Sequence, residues 1–301
     1  FDPETNQIIV GIGEPTPSGD PEFRPGDNLY SNSTLALDAD TGEIQWYFQA
    51  TPNDGWDFDS VGVRMIIPVR DAAGVMKTGV HHFDRNGFFY SNSLADGGFI
   101  RGFPHVSDNI NWTTGLDAKT GKPIEYVAGA GYQAYLNNMA PLRGRSLEDT
   151  PSGCNTWGGA PTFWPPSYNP NTGVAFQTGT AGCTFYIINR QTAEIGAEGF
   201  QPERGESLGS SYSRIQTDLS GTLVAVDVQG GKVVNRYSRY MDITTRQAQN
   251  GALATAGGLV FTGWDDGFVA AYDQDTLAEL WSYSVGTSLV GGMISYSVDG
   301  K

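Results

Sequence analysis

Basic residues are scarce. The 301 residues hold 18 Lys and Arg against 33 Asp and Glu, a formal net charge of -15. The few cations are scattered, so no basic patch is offered to phosphate, which excludes a nucleic-acid partner. Long apolar runs are missing too. None reaches the roughly 18–20 residues a helix needs to span a bilayer. Stretches such as Gly62–Val69 are strand-sized and interrupted by Arg64 or Pro68, so no helical membrane span is expected. Cys-x-x-Cys-His does not occur, so this segment carries no covalently attached c-type haem of its own. The two cysteines, Cys154 and Cys183, cannot define a disulfide scaffold. They either form one bridge in an oxidising compartment or stay as two buried thiols. Helical periodicity is almost absent, and no signal-peptide pattern is present. The chain opens on a turn-like Phe1-Asp2-Pro3-Glu4-Thr5-Asn6 and stops in a hairpin turn, Ser297-Val298-Asp299-Gly300-Lys301. Both ends are expected to be cuts within a larger protein.

What is present is short strands punctuated by 40 Gly and 16 Pro. Strands are expected at Gln7–Gly13, Ser33–Asp38, Ile44–Gln49, Met65–Val69, Gly87–Asn92, Val174–Thr178, Thr184–Asn189, Thr222–Val228, Leu259–Thr262, Phe268–Tyr272 and Leu280–Val285. Most are rich in the β-branched and aromatic residues that suit a pleated surface. Gly129–Ser152 reads as an excursion between strands, with a short helix possible at Tyr132–Met139. Leu142–Thr150 and Gln201–Ser213 read as surface loops.

An internal repeat points beyond a sandwich. Leu35–Trp46 (LALDADTGEIQW) recurs at Gly115–Tyr126, Ala225–Val234 and Ala271–Trp281. Each copy is a strand, an Asp, a tight turn closing near Gly and a second strand, in most copies with a terminal aromatic. The Asp can accept turn amides and the Gly can adopt positive φ. One hairpin unit repeated over this length predicts radial repetition, an all-β propeller.

Several motifs, in this order, carry a family resemblance: Asp2-Pro3-Glu4-Thr5-Asn6, Arg24-Pro25-Gly26-Asp27-Asn28, Thr51-Pro52-Asn53-Asp54-Gly55-Trp56-Asp57, Asp84-Arg85-Asn86-Gly87 and Ala254–Phe261. With the repeat, they make the chain resemble the pyrroloquinoline-quinone (PQQ) dependent alcohol and methanol dehydrogenases over nearly its whole length. The resemblance implies an eight-bladed propeller with tryptophan-docking repeats and a cofactor on the axis. Residues 1–301 would supply roughly the last four to five blades, the C-terminal portion of a single propeller domain.

The resemblance also assigns roles. Asp57 is implied to be the base that takes the alcohol's hydroxyl proton, since a carboxylate in reach of that group can do so. Arg85, 28 residues later, is implied to hydrogen-bond the quinone oxygen that gains charge; a guanidinium is always charged and planar. Asp59 lies two residues after Asp57, so on an extended segment both carboxylates could face one cation. In related enzymes an acidic residue here often accompanies lanthanide use, but some calcium or magnesium quinoproteins share it, so calcium and a lanthanide both stay open. Glu14 is the main departure, because Gly11-Ile12-Gly13-Glu14-Pro15 has Glu where the family usually has a metal-binding Asn. It is read as an oxygen ligand, the alternative being an altered site. Gln249 and Asn250 align with residues that approach the quinone edge. Trp164 stands near the pocket or docks blades. A further family Asn is absent near Thr162-Phe163-Trp164, and Asn155 could replace it. The family also implies a Cys154–Cys183 bridge.

The implied partners are the remaining blades, a small alcohol and a cytochrome c-type electron acceptor, in the periplasm. A cofactor-supporting Trp, a metal-binding Glu and a vicinal disulfide would belong to the segment before Phe1. The competing reading is a non-catalytic envelope propeller of the same repeat type. Glu14 and the missing pocket Asn favour it; Asp57 and Arg85 at their spacing speak against it.

Overall fold

The computed structural model describes residues 1–16, 24–133, 135, 152–155, 160–191, 210–240 and 250–298. Among them the regular structure is β-strand. No helix of the described residues is long and apolar enough to cross a membrane. The strands form four antiparallel sheets. The first holds β1 (Gln7–Gly11), β2 (Ser33–Asp38) and β3 (Ile44–Gln49). The second holds β4 (Met65–Arg70), β5 (Met76–Phe83), β6 (Phe88–Ser93) and β7 (Phe99–Pro104). The third contains β8 (Gly153–Cys154), β9 (Ser167–Asn169), β10 (Val174–Gln191), β11 (Ser210–Asp227) and β12 (Lys232–Tyr240). The fourth contains β13 (Leu253–Ala254), β14 (Leu259–Gly263), β15 (Phe268–Asp273) and β16 (Glu279–Ser284).

The predicted hairpin chemistry is what builds the sheets. Asp38 Oδ1 accepts the amides of Asp40 and Thr41 at 3.0 and 2.8 Å. Asp273 Oδ1 treats Asp275 and Thr276 identically, at 3.0 and 2.8 Å. The Thr41 amide and hydroxyl hold the Asp38 carboxyl below its ordinary range. The closing residue takes positive φ: Gly42 at 75°, Gly231 at 67° and, unexpectedly, Leu277 at 55°. A left-handed Leu costs about 1–2 kcal/mol. Burying it recovers about 1.5–3 kcal/mol, and Leu277 is 3 % exposed, so packing outweighs the strain.

Each sheet docks on the next through one slot. Trp46 on β3 donates Nε1 to the Leu94 carbonyl at 2.8 Å, and its ring leaves no room for a Cβ at Gly97. On β7 the slot is filled by Arg101, which donates to the Gln229 carbonyl at 2.6 Å. On β12 Asn235 donates to the Asp275 carbonyl. The donor survives while the aromatic does not. On β16 the same slot holds Trp281, 51 % exposed. Between first and second sheets lie Ala36, Trp46, Val80 and Leu94; between second and third, Ile67, Phe89, Ala175 and Val224; between third and fourth, Phe176, Leu223, Val260 and Tyr272.

Three expectations change. The copy at Gly115–Tyr126 keeps its turn, but the described pairing is the isolated bridge Leu116–Pro123. Pro123 has no N–H with which to extend a ladder. Val174–Thr178 and Thr184–Asn189 are one strand, because Gly182 (φ 148°) is absorbed as a bulge between Ala181 and Cys183. Residues 210–213, expected in a loop, belong to β11. β5, β7 and most of β12 were not anticipated as strands. Leu142–Thr150 and most of Tyr132–Met139 lie outside the described residues.

Candidate active site

Three segments converge. The first is the end of β1. Its ladder with β2 is prolonged by the Ile12 amide to the Ser33 carbonyl (2.8 Å) and the Asn32 amide to the Gly13 carbonyl (2.9 Å). Gly11 and Gly13 let this backbone press against the loop that follows β3. A Cβ on Gly13 would lie 2.7 Å from Asp59 Oδ1. The Glu14 amide, one residue on, donates to that same oxygen at 2.8 Å. Gly13→Ala is therefore expected to dislodge Asp59 and destabilise the protein by about 1–3 kcal/mol, measured as a drop in the thermal midpoint. An unchanged midpoint would mean that this close approach is not needed.

The second segment is the loop itself. Trp56 and Phe58 turn inward, 1 % and 0 % exposed, while Asp57 between them adopts φ 65°. The third is the turn between β5 and β6. It is closed by the Gly87 amide on the Asp84 carbonyl (3.0 Å) and the Asn86 amide on Asp84 Oδ1 (2.9 Å), with Gly87 at φ 95°. Arg85 projects from this turn. Its Nη1 is paired with Asp59 Oδ2 and lies 3.6 Å from Asp57 Oδ1. One buried guanidinium thus joins both carboxylates.

The loop and the turn are laced together beneath this pair. Ser60 Oγ donates to Asp84 Oδ2, which His82 Nε2 also meets at 3.1 Å. Asn86 Nδ2 donates to Thr51 Oγ1 at 3.0 Å. Arg64 Nη2 bridges the Ser60 carbonyl (2.6 Å) and Thr34 Oγ1 (3.0 Å). Burial lowers Arg64 to about 10, with Asp84 pulling it back up, so it stays a cation at neutral pH. Burial first, then Arg64, lowers His82 to about 4, so it is neutral there. Ser60, Arg64, His82 and Asp84 are not among the residues expected at the site. Asp84 stood inside a quoted motif, and the others carried no signal.

The remaining expected residues divide. Asn155 is buried and donates Nδ2 to the Arg85 carbonyl at 2.7 Å. Its Oδ1 is buried without a hydrogen-bond partner among the described residues. Trp164 is half-buried, its ring 4.5 Å from that of Phe163 and its carbonyl accepting from Gln177 at 3.0 Å. Asn250 is buried at the junction of third and fourth sheets, its Nδ2 on the Leu289 carbonyl at 2.9 Å. Gln249 lies outside the described residues.

Cys154 and Cys183 form a disulfide between β8 and β10, 29 residues apart in sequence. The bridge immediately precedes Asn155. Reducing it is expected to cost about 3.6 kcal/mol, the loop-closure entropy for a ring of this length. Thermal melts with and without reductant test this; superimposable melts would show that the bridge constrains nothing.

Among the described residues, no group of three or more His, Cys, Asp or Glu side chains is placed to hold a metal ion. Glu14, Asp57 and Asp59 nevertheless offer hard oxygen donors on adjoining segments, the kind calcium-like cations take. The partnerless Asn155 oxygen and the Arg85 guanidinium suit a polar planar ligand. In donor chemistry the residues present therefore fit a quinone and metal site, although the described carboxylates are not drawn together as a metal cluster.

Comparison with known proteins points the same way. The profile of the PQQ glucose/ethanol/alcohol dehydrogenase β-propeller domain matches residues 1–93. The chain is 37% identical to the quinoprotein alcohol dehydrogenase PedH of Pseudomonas putida, over 100% of this chain and 47% of that protein. It is 33% identical to a quinoprotein ethanol dehydrogenase of Pseudomonas putida, over 100% of this chain and 46% of that protein. Among solved structures, a europium-containing methanol dehydrogenase superposes with a TM-score of 0.80 at 25% identity, covering 97% of this chain and 46% of the other. The quinohemoprotein alcohol dehydrogenase of Comamonas testosteroni gives 0.77 at 28% identity, covering 100% and 42%. The chain spans about half the length of the curated relatives it matches.

Proposed function

We propose, on the premise that this chain belongs to the PQQ-dependent (quinoprotein) alcohol dehydrogenase family, that the protein containing it oxidises an alcohol to an aldehyde or ketone. The observation that carries this reading is the single buried guanidinium of Arg85 shared by Asp57 and Asp59.

Asp57 is the group that takes the alcohol's hydroxyl proton. Its carboxylate stands 3.6 Å from the Arg85 guanidinium. The fork of N–H donors on the Arg85 guanidinium suits an electronegative oxygen placed beside it. Glu14, Asp57 and Asp59 would contribute oxygen ligands to a calcium or lanthanide ion, and Asn155 and Trp164 would border the cofactor. When bound, PQQ supplies the two-electron acceptor that amino-acid side chains lack. Trp56 and Phe58, the chain neighbours of the base, are buried and stacked with ring centroids 6.3 Å apart, and help keep water from beneath it.

The remaining blades would complete the ring and its ligand set. The formal charge of -15 suits a basic cytochrome c-type acceptor, whose association should then slow as salt rises. A periplasmic location follows from the same family reading and agrees with the disulfide.

The test uses the full-length protein, PQQ and either calcium or a light lanthanide. Its absorption spectrum is recorded and phenazine-dye reduction followed with primary alcohols, polyols and sugars. A cofactor band with alcohol-dependent reduction is expected with at least one metal. No reduction with either metal across all three substrate classes overturns the proposal in favour of a non-catalytic propeller.

A further inference from the structure

Asp54 lies three residues before Asp57, and its side chain is 1 % exposed. Its two carboxylate oxygens are divided between two amides. Oδ1 accepts the Trp56 N–H and Oδ2 accepts the Phe58 N–H, each at 2.7 Å. These amides flank Asp57 on either side. Asn32 Nδ2 completes the arrangement, donating to Asp54 Oδ2 and to the Phe58 carbonyl, both at 3.0 Å. Arg24 donates to the Asp54 carbonyl.

The residue so enclosed is strained. Asp57 holds φ 65°, a region that residues with a Cβ enter at a cost and leave unless their surroundings hold them. Burial pushes the Asp54 carboxyl up while the Trp56 and Phe58 amides and Arg24 pull it back, and two of the hydrogen bonds it accepts bracket a single residue. The repeat hairpins make a useful contrast. Asp38 also accepts amides, but at an exposed turn with no side chain to aim. Asp54 is deeply buried, and the side chain it leaves pointing outward is the one facing Arg85.

From this geometry we infer that Asp54 is a positioning residue, whose carboxylate clamps the backbone on both sides of Asp57 and thereby aims the Asp57 carboxylate at Arg85 and the substrate. This rests on the proposed function and deepens it. Asp54 touches neither substrate nor cofactor and acts through Asp57. Without the clamp, Asp57 can relax toward ordinary backbone angles, moving its carboxylate by an ångström or more. Displacements of that size cost about 10²-fold in rate.

The experiment is a double-mutant cycle in the full-length, PQQ- and metal-loaded protein, with rates expressed per cofactor-loaded site. Asp54→Asn keeps the shape but sets an NH2 against one of the two amide donors. It is expected to lower kcat by about 10²-fold, with cofactor and metal content unchanged. In an Asp57→Asn background the same change should alter kcat by less than about twofold, because nothing is left to aim. A merely structural residue would give equal losses in both backgrounds.

Asn32→Gly removes one support of the same carboxylate at a position whose φ of 49° glycine accepts. It is expected to give a milder drop of about tenfold, and it replaces Asp54→Asn in the cycle should that variant not fold. Wild-type kcat in the variant, or equal losses in both backgrounds, overturns the inference while leaving the function standing. Absence of alcohol turnover in the parent protein overturns both.

Discussion

Replacing Asp57 with asparagine is expected to lower kcat for alcohol oxidation by about 10²–10⁴-fold, the contribution a positioned general base makes, while folding and cofactor content persist. The substitution is isosteric and removes the negative charge, and with it the ability to accept a proton. The backbone favours it as well, because Asn is at home at the φ of 65° that Asp57 occupies, and short polar side chains visit this region more readily than others. Arg85 keeps its pairing with Asp59, so no buried cation is stranded. Stopped-flow mixing of loaded enzyme with alcohol, in parent and variant, checks this. A variant within tenfold of the parent would remove Asp57 from the mechanism.

Acid is expected to unfold the protein well above the pH at which its carboxylates titrate. His81, His82 and His105 are essentially inaccessible, at 0 %, 0 % and 1 % exposure. Burial is the largest influence on each and lowers them to about 4, 4 and 3. For two of them the partners agree with neutral rings. His81 lies between Ser91 Oγ at 2.8 Å and the Ile67 carbonyl at 3.0 Å, and His105 Nε2 meets the Asp84 carbonyl at 3.2 Å. An unfolded histidine titrates near 6.5, so below that pH the unfolded chain binds protons that the folded chain refuses. The stability is therefore present above about pH 6.5 and is lost as pH falls toward the folded values. At pH 5 the loss is about 2 kcal/mol per histidine. Denaturant midpoints at pH 7 and pH 5 measure it. Equal midpoints would mean that the three rings accept protons inside the fold.

The hairpins were legible from the residues themselves. Asp38, Asp227 and Asp273 cap their turns as read, since an Asp followed by a positive-φ position encodes that turn within a few residues. β5 was not legible. Its His81 and His82 break the apolar pattern expected of a buried strand, and they are tolerated because Ser91, Ile67 and Asp84 satisfy them across the sheet. The docking slot was half legible. Trp46 announces itself, but Arg101 and Asn235 do the same work by donating to a neighbouring carbonyl, and only the paired sheet shows that. Asp54 stood inside a quoted motif without a role, because its partners become apparent once the loop around Asp57 is folded.

The sequence by itself determined the repeating hairpin, the all-β class and, through the order of its motifs, the family to which the chain belongs. These rest on turn chemistry and strand propensity, which act over a handful of neighbouring residues. The tertiary structure decided which charges share a site. Asp57, Asp59 and Arg85 come from the loop after one sheet and a turn of the next, and the backbone of Glu14 reaches Asp59 from the end of that first sheet. Their approach depends on sheet packing and on glycines that let two backbones touch. Whether a buried carboxylate serves as base, brace or ion-pair partner depends on what lies within about 4 Å of it, and separation along the chain does not specify that distance.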